Sequence, residues 1–453
     1  MRPRVALLSL LLISVGLGVP AVTQPPAPKA AGFAIVAPRA FQAALAGYVA
    51  HKAKQLPVEV VVLEDVCKEQ SGDDDAEKLK RFLYNRWKEK RLAYALLVGD
   101  IDVMPVRYRT ITVGDGKKPP TFVFNLTDHY YADVADAAGN FEDWNKLRSG
   151  PHRWLYAESR LLAPHQDVNA DGMHFIPELA VGRWPVSTPQ GAKLLAEKTI
   201  RYETALQAGT KPGMHRAAVL AWDDLGPRGS IPHWVAALKG WQTTTYDALA
   251  GEPKPSAGRV TEQLNQGLGL LLDIGHGECN GWPGFKRANL AGVKNSDRLP
   301  IVFSVGCDTT PLGPGALPTP GYRDREERVI SAEEMAKANP PRPPGVYQPE
   351  LRKQTAPSFG QQMLIGGPSG AVAYIGFTIN SNHWHELMDG FVMAMGQKPA
   401  PRLGDAWAFA LTYHHQARKA FVQKHKGDFD GLHSFDQGLR AILLGDPTLL
   451  LPQ

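Results

Sequence analysis

The chain has 453 residues, of which 43% are hydrophobic and 21% charged, the composition of a globular protein with room for two or three domains. Its 50 basic and 45 acidic side chains give a net charge of +5 without any basic block, which argues against nucleic-acid binding. The three cysteines, Cys67, Cys279 and Cys307, exclude a disulfide scaffold and leave one thiol free or paired between chains.

The first 21 residues have the pattern of a secretory signal. Arg2 and Arg4 precede an almost wholly apolar run from Val5 to Val19, and Val19-Pro20-Ala21 offers small residues for cleavage. Because the run is shorter than the ~20 residues that cross a bilayer, a signal peptide is favoured over a retained anchor. We therefore expect a secreted, periplasmic or extracellular protein with a linker at 22–32 and no transmembrane segment after signal removal.

From residue 33 onward, short apolar strands alternate with amphipathic helices. The predicted strands are 33–36, 58–63, 94–98, 179–186, 216–222, 243–246, 268–274, 301–305, 371–375 and 441–444. The predicted helices are 41–49, 79–87, 192–202, 232–241, 260–266 and about 403–425, while 107–177 is predicted to be rich in loops. This alternation is typical of parallel sheets covered on both faces.

We expect two packed subdomains, an N-terminal α/β subdomain at 33–210 and a second at 211–453. A proline-rich insertion, 311–357, begins just after Cys307. An insertion of this length is either a mobile surface segment or a lid over a functional site, and the sequence leaves both interpretations open. The pair His414-His415 lies on the long predicted helix and is expected to face solvent.

Two apolar segments end in a reactive side chain beside glycine. Leu271 to Ile274 leads into Gly275-His276-Gly277, and Ile301 to Val305 leads into Gly306-Cys307. If the two strands are neighbours in a parallel sheet, both side chains arrive at the carboxyl edge, where ligands bind. The glycines, Gly306 among them, allow the backbone to approach a substrate closely.

The pairing of a thiol with an imidazole favours a cysteine hydrolase. A thiol with a pKa of ~8.5 is mostly protonated at neutral pH, and a neighbouring imidazole can accept that proton and return it to a leaving amine. The amides of Gly277 and Cys307 are natural donors to the oxyanion. Asp223 and Asp224, at the end of strand 216–222, are candidates for a third group that orients the imidazole.

Other interpretations remain open at this point. Cys307 alone could be a small buried hydrophobic residue, and Cys279, near His276, is a rival nucleophile that we interpret as structural. The alternatives to an enzyme are a catalytically silent protein that binds peptide or a surface, and a metal-dependent hydrolase.

The sequence resembles the gingipain-type cysteine peptidases, which have a caspase-like fold. Seven segments carry the resemblance in order: Tyr94 to Pro105 (YALLVGDIDVMP), Thr127 to Tyr131 (TDHYY), Glu178 to Val186 (ELAVGRWPV), Gly269 to Trp282, Leu299 to Cys307, Gly370 to Asn380 (GAVAYIGFTIN) and Leu444 to Leu450 (LGDPTLL). The resemblance implies an α/β three-layer sandwich in which two mostly parallel sheets are flanked by helices.

The resemblance also implies roles for single residues. Cys307 would be the nucleophile of an endopeptidase and His276 its acid–base partner, with Asp224 orienting the imidazole. Asp223, beside it, is expected to take part in substrate binding together with Gly306 and Trp384. Trp384 falls where the family has an aromatic residue near the S1 pocket. The segment after Asp224 lacks the further acid that gives some members their arginine preference, so the sequence does not predict the P1 residue.

A separate metal site is predicted by the acidic loop Asp167-Val168-Asn169-Ala170-Asp171-Gly172, followed by Glu178. Alternating short acids, a glycine and a late glutamate fit the pattern of a calcium loop. We therefore expect Asp167, Asn169, Asp171 and Glu178 to hold a structural Ca²⁺. We expect no cofactor for catalysis, a peptide or protein substrate, and a monomer.

Overall fold

The computed structural model describes residues 32–114, 121–146, 155–162, 165–224, 226–312, 346–347, 357–381, 385–424 and 429–452. The predicted signal, most of the linker, Trp384 and most of the 311–357 insertion lie outside these residues.

The ten strands predicted from the sequence are all present, and further strands occur between them. Their bounds are β1 Gly32–Ala37, β2 Val58–Val62, β3 Leu92–Val98, β4 Arg107–Gly114, β5 Thr121–Thr127, β6 Ser159–Leu162, β7 His165–Asp167, β8 Ala180–Trp184, β9 Arg216–Ala221, β10 Gln242–Asp247, β11 Leu270–Ile274, β12 Gly281–Trp282, β13 Phe285–Lys286, β14 Ile301–Ser304, β15 Val346–Tyr347, β16 Ala373–Phe377 and β17 Ala441–Leu444.

The α-helices connect these strands. Their bounds are Gln42–Lys52, Leu63–Glu69, Asp75–Lys90, His129–Ala132, Pro189–Gln207, Ile231–Ala237, Ala257–Gln266, Phe359–Ile365, Glu386–Met395, Leu403–Lys424 and Phe429–Arg440. The helices at 63–69, 129–132, 359–365, 386–395 and 429–440 were not predicted from the sequence.

The main sheet has ten strands in the order β10-β9-β11-β14-β16-β17-β8-β3-β1-β2. The two mostly parallel sheets that were predicted are joined edge to edge into this one sheet, where β17 pairs antiparallel with β16 and parallel with β8. The predicted α/β class is therefore confirmed. The predicted boundary at 210/211 falls between the helix 189–207 and β9, and the division into subdomains stays a prediction because one sheet runs through both parts.

Helices cover both faces of the sheet because its strands are apolar on both sides. On one face, a single core cluster runs across both halves and includes Ile35 of β1 and Leu271 of β11. On the other face, one cluster contains Phe303 with Phe391 of the helix 386–395, and another contains Val36 with Leu79 of the helix 75–90. The three layers hold β11 and β14 rigidly, since every residue of these two strands is buried.

A second sheet, of order β15-β5-β4-β6-β7, occupies much of the 107–177 region that was expected to be rich in loops. The prediction failed because strand β4 buries charged side chains and so lacks an apolar run. Arg107 forms an ion pair with Asp74, and Arg109 forms one with Asp436 of the helix 429–440. Both arginines are at most 2% exposed.

The expectation that His414 and His415 face solvent is wrong for His414, and His415 is half-buried. His414 is fully buried in the helix 403–424, and its Nε2 lies 3.1 Å from the Ser434 carbonyl oxygen of the next helix. Within the described parts of the chain, no helix is both long enough and apolar enough to cross a membrane.

Candidate active site

The ends of β11 and β14 bring the predicted histidine and cysteine to the same edge of the sheet. The two strands are parallel neighbours, and their register pairs Asp273 with Ser304. His276 lies three residues after Asp273, and Cys307 lies three residues after Ser304, so both leave the sheet at its carboxyl edge. This is the edge at which ligands bind in open parallel sheets.

The loops that carry the two residues touch through their glycines. A side-chain carbon on Gly277 would lie 2.6 Å from the Gly306 carbonyl carbon and 2.7 Å from the Cys307 oxygen. No side chain fits in that space, so glycine at position 277 is what allows the histidine loop to lie against the cysteine loop. Both predicted oxyanion donors, the amides of Gly277 and Cys307, belong to this contact.

The thiol of Cys307 is half-buried against Ser381, which follows strand β16. The Ser381 amide donates to the sulfur at 3.3 Å, and the Ser381 hydroxyl lies 3.7 Å from it. These hydrogen-bond contacts of the sulfur are with Ser381 and not with the His276 ring, which is exposed. The next residue, Asp308, has a φ of 53° and donates its amide to the Ile379 oxygen at 3.0 Å.

The two acids after β9 differ in their relation to His276. The Asp223 carboxylate is half-buried, and its Oδ2 accepts the His276 amide at 3.2 Å. Asp224 is exposed. Asp223 therefore positions the main chain at the histidine, whereas an orienting role for Asp224 on the imidazole stays a prediction.

A buried polar network that the sequence did not reveal lies directly beneath the site. Asp273 is fully buried; its Oδ1 accepts from Trp222 Nε1 at 2.7 Å, and its Oδ2 accepts from Ser304 Oγ at 2.5 Å. Ser304 Oγ in turn accepts from Trp282 Nε1 at 3.0 Å and from the Gly306 amide at 3.2 Å. The network thus connects three strand ends to the residue before the cysteine.

Burial raises the pKa of Asp273 well above its usual range, while hydrogen bonds from Ser304 and Trp222 act in the opposite direction. The sequence could have indicated this residue, because Asp273 is the one polar residue in the otherwise aliphatic strand Leu270 to Ile274.

Arg440 is a second residue of the site that sequence reasoning missed. It is 3% exposed and donates to the Asn380 carbonyl at 3.3 Å and to Asp436 at 2.7 Å. Burial lowers the pKa of Arg440 to about 10, and the electrostatic effect of Cys307 acts in the raising direction. The Arg440 guanidinium thus contacts the residue before Ser381, which holds the sulfur, and its charge is paired with that of Asp436.

Three further residues were singled out in the sequence. Gly306 lies in the contact with Gly277, and its role in substrate binding stays a prediction. Trp384 lies outside the described residues. Cys279, the rival thiol, is half-buried, and its carbonyl accepts the amide of Phe359 at 2.9 Å.

The predicted calcium ligands make hydrogen bonds within the protein. Asp167 Oδ1 accepts the Asn169 amide at 3.0 Å, and Asp171 Oδ2 accepts the Glu158 amide at 2.7 Å. Glu178 Oε2 accepts the amides of Val134 at 3.0 Å and Ala135 at 3.1 Å, in a different loop. The calcium site at Asp167, Asn169, Asp171 and Glu178 stays a prediction.

Together, the three-layer α/β fold and a cysteine and a histidine at adjacent strand ends define a protein of the caspase-like class. The model of peptidase family C25 matches residues 27–452. The chain belongs to peptidase family C25, a family of cysteine peptidases, which confirms the resemblance seen in the sequence.

Solved structures share the fold. The crystal structure of the Arg-specific cysteine proteinase gingipain R (RgpB) is 18% identical, with a TM-score of 0.60 over 94% of this chain and 79% of that chain. A complex of the pro- and mature domains of RgpB from Porphyromonas gingivalis is also 18% identical, with a TM-score of 0.58 over 92% of this chain and 79% of that chain. No curated protein matches the sequence.

Proposed function

We propose that this chain is an exported cysteine endopeptidase that cleaves peptide bonds through a thioester acyl-enzyme. The observation that carries the proposal is the parallel pairing of β11 with β14, which sends His276 and Cys307 to one edge of the sheet. Membership of family C25 supports the peptidase chemistry. The apolar run at residues 5–19 supports export.

The proposed reaction has two halves. The sulfur of Cys307 loses its proton to His276 and attacks the peptide carbonyl carbon, while the amides of Gly277 and Cys307 donate to the oxyanion. The C–N bond then breaks, and the amine leaves with the proton from His276. Water next attacks the thioester, His276 accepts its proton, and the acid product leaves as the thiol is restored.

The surrounding groups have supporting roles in this scheme. Asp223 fixes the main chain of His276, and Asp224 is proposed to orient the imidazole when substrate is bound. Ser381 holds the sulfur, and its own hydroxyl donates to the Val305 oxygen. Trp384 is proposed to line the pocket for the P1 side chain, and the Asp167–Glu178 loop to hold a structural Ca²⁺.

The decisive test replaces the nucleophile. We expect Cys307→Ala and His276→Ala each to lower kcat/KM on a peptide library by about 10³-fold or more, because the two groups act as a unit. Cys279→Ala is the matched control and should retain activity. Peptidase activity that survives in Cys307→Ala would contradict the mechanism.

A catalytically silent peptide-binding or surface-binding protein on the same fold is the second candidate. The observation that favours it is the sulfur's contact with Ser381, with no hydrogen bond to the exposed His276 ring. Iodoacetamide at neutral pH separates the two candidates. Fast alkylation of Cys307 that slows in His276→Ala indicates the enzyme, and an inert thiol indicates the binder.

Cys67 provides an internal standard for that experiment. Burial raises the pKa of the Cys67 thiol to about 11, and Asp75 acts in the same direction. Cys67 should therefore react slowly, whichever candidate is correct. Mass spectrometry of alkylated peptides distinguishes the three cysteines.

A further inference from the structure

A short apolar turn projects from the edge of the sheet at which His276 and Cys307 lie. The turn Ala248–Ala250 directly follows strand β10, and all three of its residues are exposed. Among the described residues, Leu249 has the most exposed large apolar side chain, at 67%. Isolated apolar side chains on a surface are common, so exposure alone does not indicate a function. Leu249 is distinguished by where it lies and by how firmly it is held.

The register of the sheet places Leu249 in the same row as His276. Asp247, Ala221 and Ile274 are paired across the parallel strands β10, β9 and β11. Leu249 lies two residues after Asp247, and His276 lies two residues after Ile274. Because neighbouring strands are ~4.8 Å apart, the ends of β10 and β11 are separated by about 10 Å at this edge.

Hydrogen bonds fix the backbone of the turn to the end of β10. Asp247 is 2% exposed, and its Oδ1 accepts the amides of Leu249 at 3.1 Å and Ala250 at 3.3 Å. The Asp247 carbonyl oxygen accepts the Glu252 amide at 3.0 Å, which closes the turn on its other side. The Leu249 side chain is therefore presented to solvent from a backbone that is held in place.

Arg228 connects the turn to the histidine loop. Its guanidinium forms an ion pair with Asp247 and donates to the Asp223 carbonyl oxygen at 3.1 Å. The Asp223 carboxylate in turn accepts the His276 amide at 3.2 Å. The turn and the candidate acid–base residue thus belong to one hydrogen-bonded unit, which fixes the position of Leu249 relative to His276.

The proposed reaction determines which part of a substrate reaches this turn. His276 gives its proton to the leaving amine, which is the nitrogen of the first residue after the cleaved bond. The strand order β10-β9-β11-β14 places Leu249 beyond His276, on the side away from Cys307. A substrate that lies extended across this edge therefore carries the residues after its cleaved bond toward Leu249.

The distance determines which of those residues meets Leu249. An extended chain advances ~3.3 Å per residue, so three residues span the ~10 Å from β11 to β10. Side chains alternate between the two faces of an extended chain, so either the third or the fourth residue after the cleaved bond faces the protein. An apolar side chain there would remove Leu249 from water, which is favourable in proportion to the apolar area that is buried.

We propose that Leu249 is a specificity-determining residue that contacts an apolar substrate side chain at the third or fourth position after the cleaved bond. The inference rests on the proposed peptidase function and deepens it, because it assigns a substrate class to the same site. Asp247 and Arg228 are positioning residues that act through the backbone of the turn.

The test uses internally quenched peptides that share one cleavage site and differ only at the third or fourth residue after it. Mass spectrometry of the products locates the cut. For the wild type, we expect kcat/KM to be about three- to tenfold higher with leucine than with serine at one of these positions. Leu249→Gln should lower kcat/KM for the leucine peptide to the value for the serine peptide. The loss should appear mainly in KM, because the contact is the same in the ground state and the transition state.

Met393→Gln is the matched control. Met393 is 44% exposed on the helix 386–395, which covers one face of the sheet, and this variant should keep the preference for leucine. Both side chains are exposed, so both substitutions should leave the fold intact.

The contrary results are distinguishable. If the wild type has no apolar preference after the cleaved bond, or if Leu249→Gln retains it, Leu249 does not determine specificity, although the peptidase function stands. A loss in Leu249→Gln that is equal for all peptides would also contradict the proposal, since it would indicate a structural role. If the wild type cleaves no peptide of a broad library, the proposed function fails and this inference fails with it.

Discussion

At the scale of single residues, a fully buried carboxyl group, Asp273, lies beneath the loop that carries Cys307. Asp273 accepts a hydrogen bond with each of its two oxygens, one of them from the Ser304 hydroxyl. The same hydroxyl oxygen accepts the Gly306 amide. Each partner is a donor toward Asp273, so the network has a fixed direction. A side chain of the same shape with a donor on one side would not fit it.

Asp273→Asn tests this network. The new amide must turn its NH₂ toward either the Trp222 N–H or Ser304 Oγ, which already accepts two hydrogen bonds, and one donor stays unsatisfied. We expect the free energy of unfolding to fall by about 1–3 kcal/mol, and kcat to fall because Gly306 precedes the nucleophile. Urea denaturation and peptidase kinetics measure the two effects.

Asp297→Asn is the control for that substitution. The Asp297 side chain is 60% exposed, so this substitution should change the free energy of unfolding by no more than about 0.5 kcal/mol. Equal stabilities of Asp273→Asn and the wild type would show that the network does not have the proposed direction.

At the scale of elements, the short helix 129–132 and the long helix 403–424 each bury a histidine whose protonated form the surroundings do not stabilise. The Nε2 atoms of His129 and His414 lie near the carbonyl oxygens of Phe175 and Ser434, and both Nδ1 atoms are buried without a hydrogen-bond partner. Burial lowers the pKa of His414 well below its usual value, and His415 acts in the same direction. A second proton on either ring would have no acceptor.

Acid should therefore destabilise the protein through these rings. Because the folded-state pKa of His414 lies below the unfolded value of ~6.5, the unfolded state binds more protons as the pH falls through 6.5, and stability is lost. We expect His414→Gln, which can still donate to Ser434, to reduce this loss by up to ~1.4 kcal/mol per pH unit. Urea denaturation between pH 7 and pH 5 measures it, with His233→Gln as control; equal slopes would contradict the argument.

The elements differ in how well the sequence predicted them, and the reason is physical. Strands β11 and β14 are mostly apolar runs followed by glycine, so the sequence predicted both to within two residues. That they are parallel neighbours, which brings His276 and Cys307 to one edge, is seen only in the structure. Strand β4 was missed because Arg107 and Arg109 look like surface residues until their partners, Asp74 and Asp436, are known. Those partners are remote in sequence, as is Arg440 from Cys307.

At the scale of the whole molecule, the seam between β8 and β17 joins the two halves. A side-chain carbon on Gly182 of β8 would lie 2.3 Å from the Gly445 carbonyl oxygen. The two chain segments can therefore approach this closely only because residue 182 is glycine. The next residue, Arg183, forms an ion pair with Asp128 at 2.7 Å and donates to the Gly99 oxygen at 2.8 Å. Two of the segments that carry the resemblance, ELAVGRWPV and TDHYY, therefore contact each other at the junction between the two halves of the sheet.

Gly182→Ala should strain that seam. The added methyl group meets backbone atoms that cannot move independently, and we expect the free energy of unfolding to fall by about 1–3 kcal/mol. Gly47→Ala, in the helix 42–52, is the matched control, because no atom lies within 4 Å of the added carbon. That change should stabilise the protein by about 0.5–1 kcal/mol. Urea denaturation of both variants checks the pair, and equal losses would refute the steric argument.

The position of β17 in the chain has a consequence for biogenesis. It lies between β16 and β8 in the sheet, yet it follows the other nine strands in the sequence. A polypeptide that emerges vectorially can therefore assemble β1, β2, β3 and β8 early, but the edge of β8 stays open until residues 441–444 arrive. Arg440 immediately precedes β17 and donates to Asn380, the neighbour of the Ser381 that contacts the sulfur, so this part of the candidate site also depends on the last strand to be made.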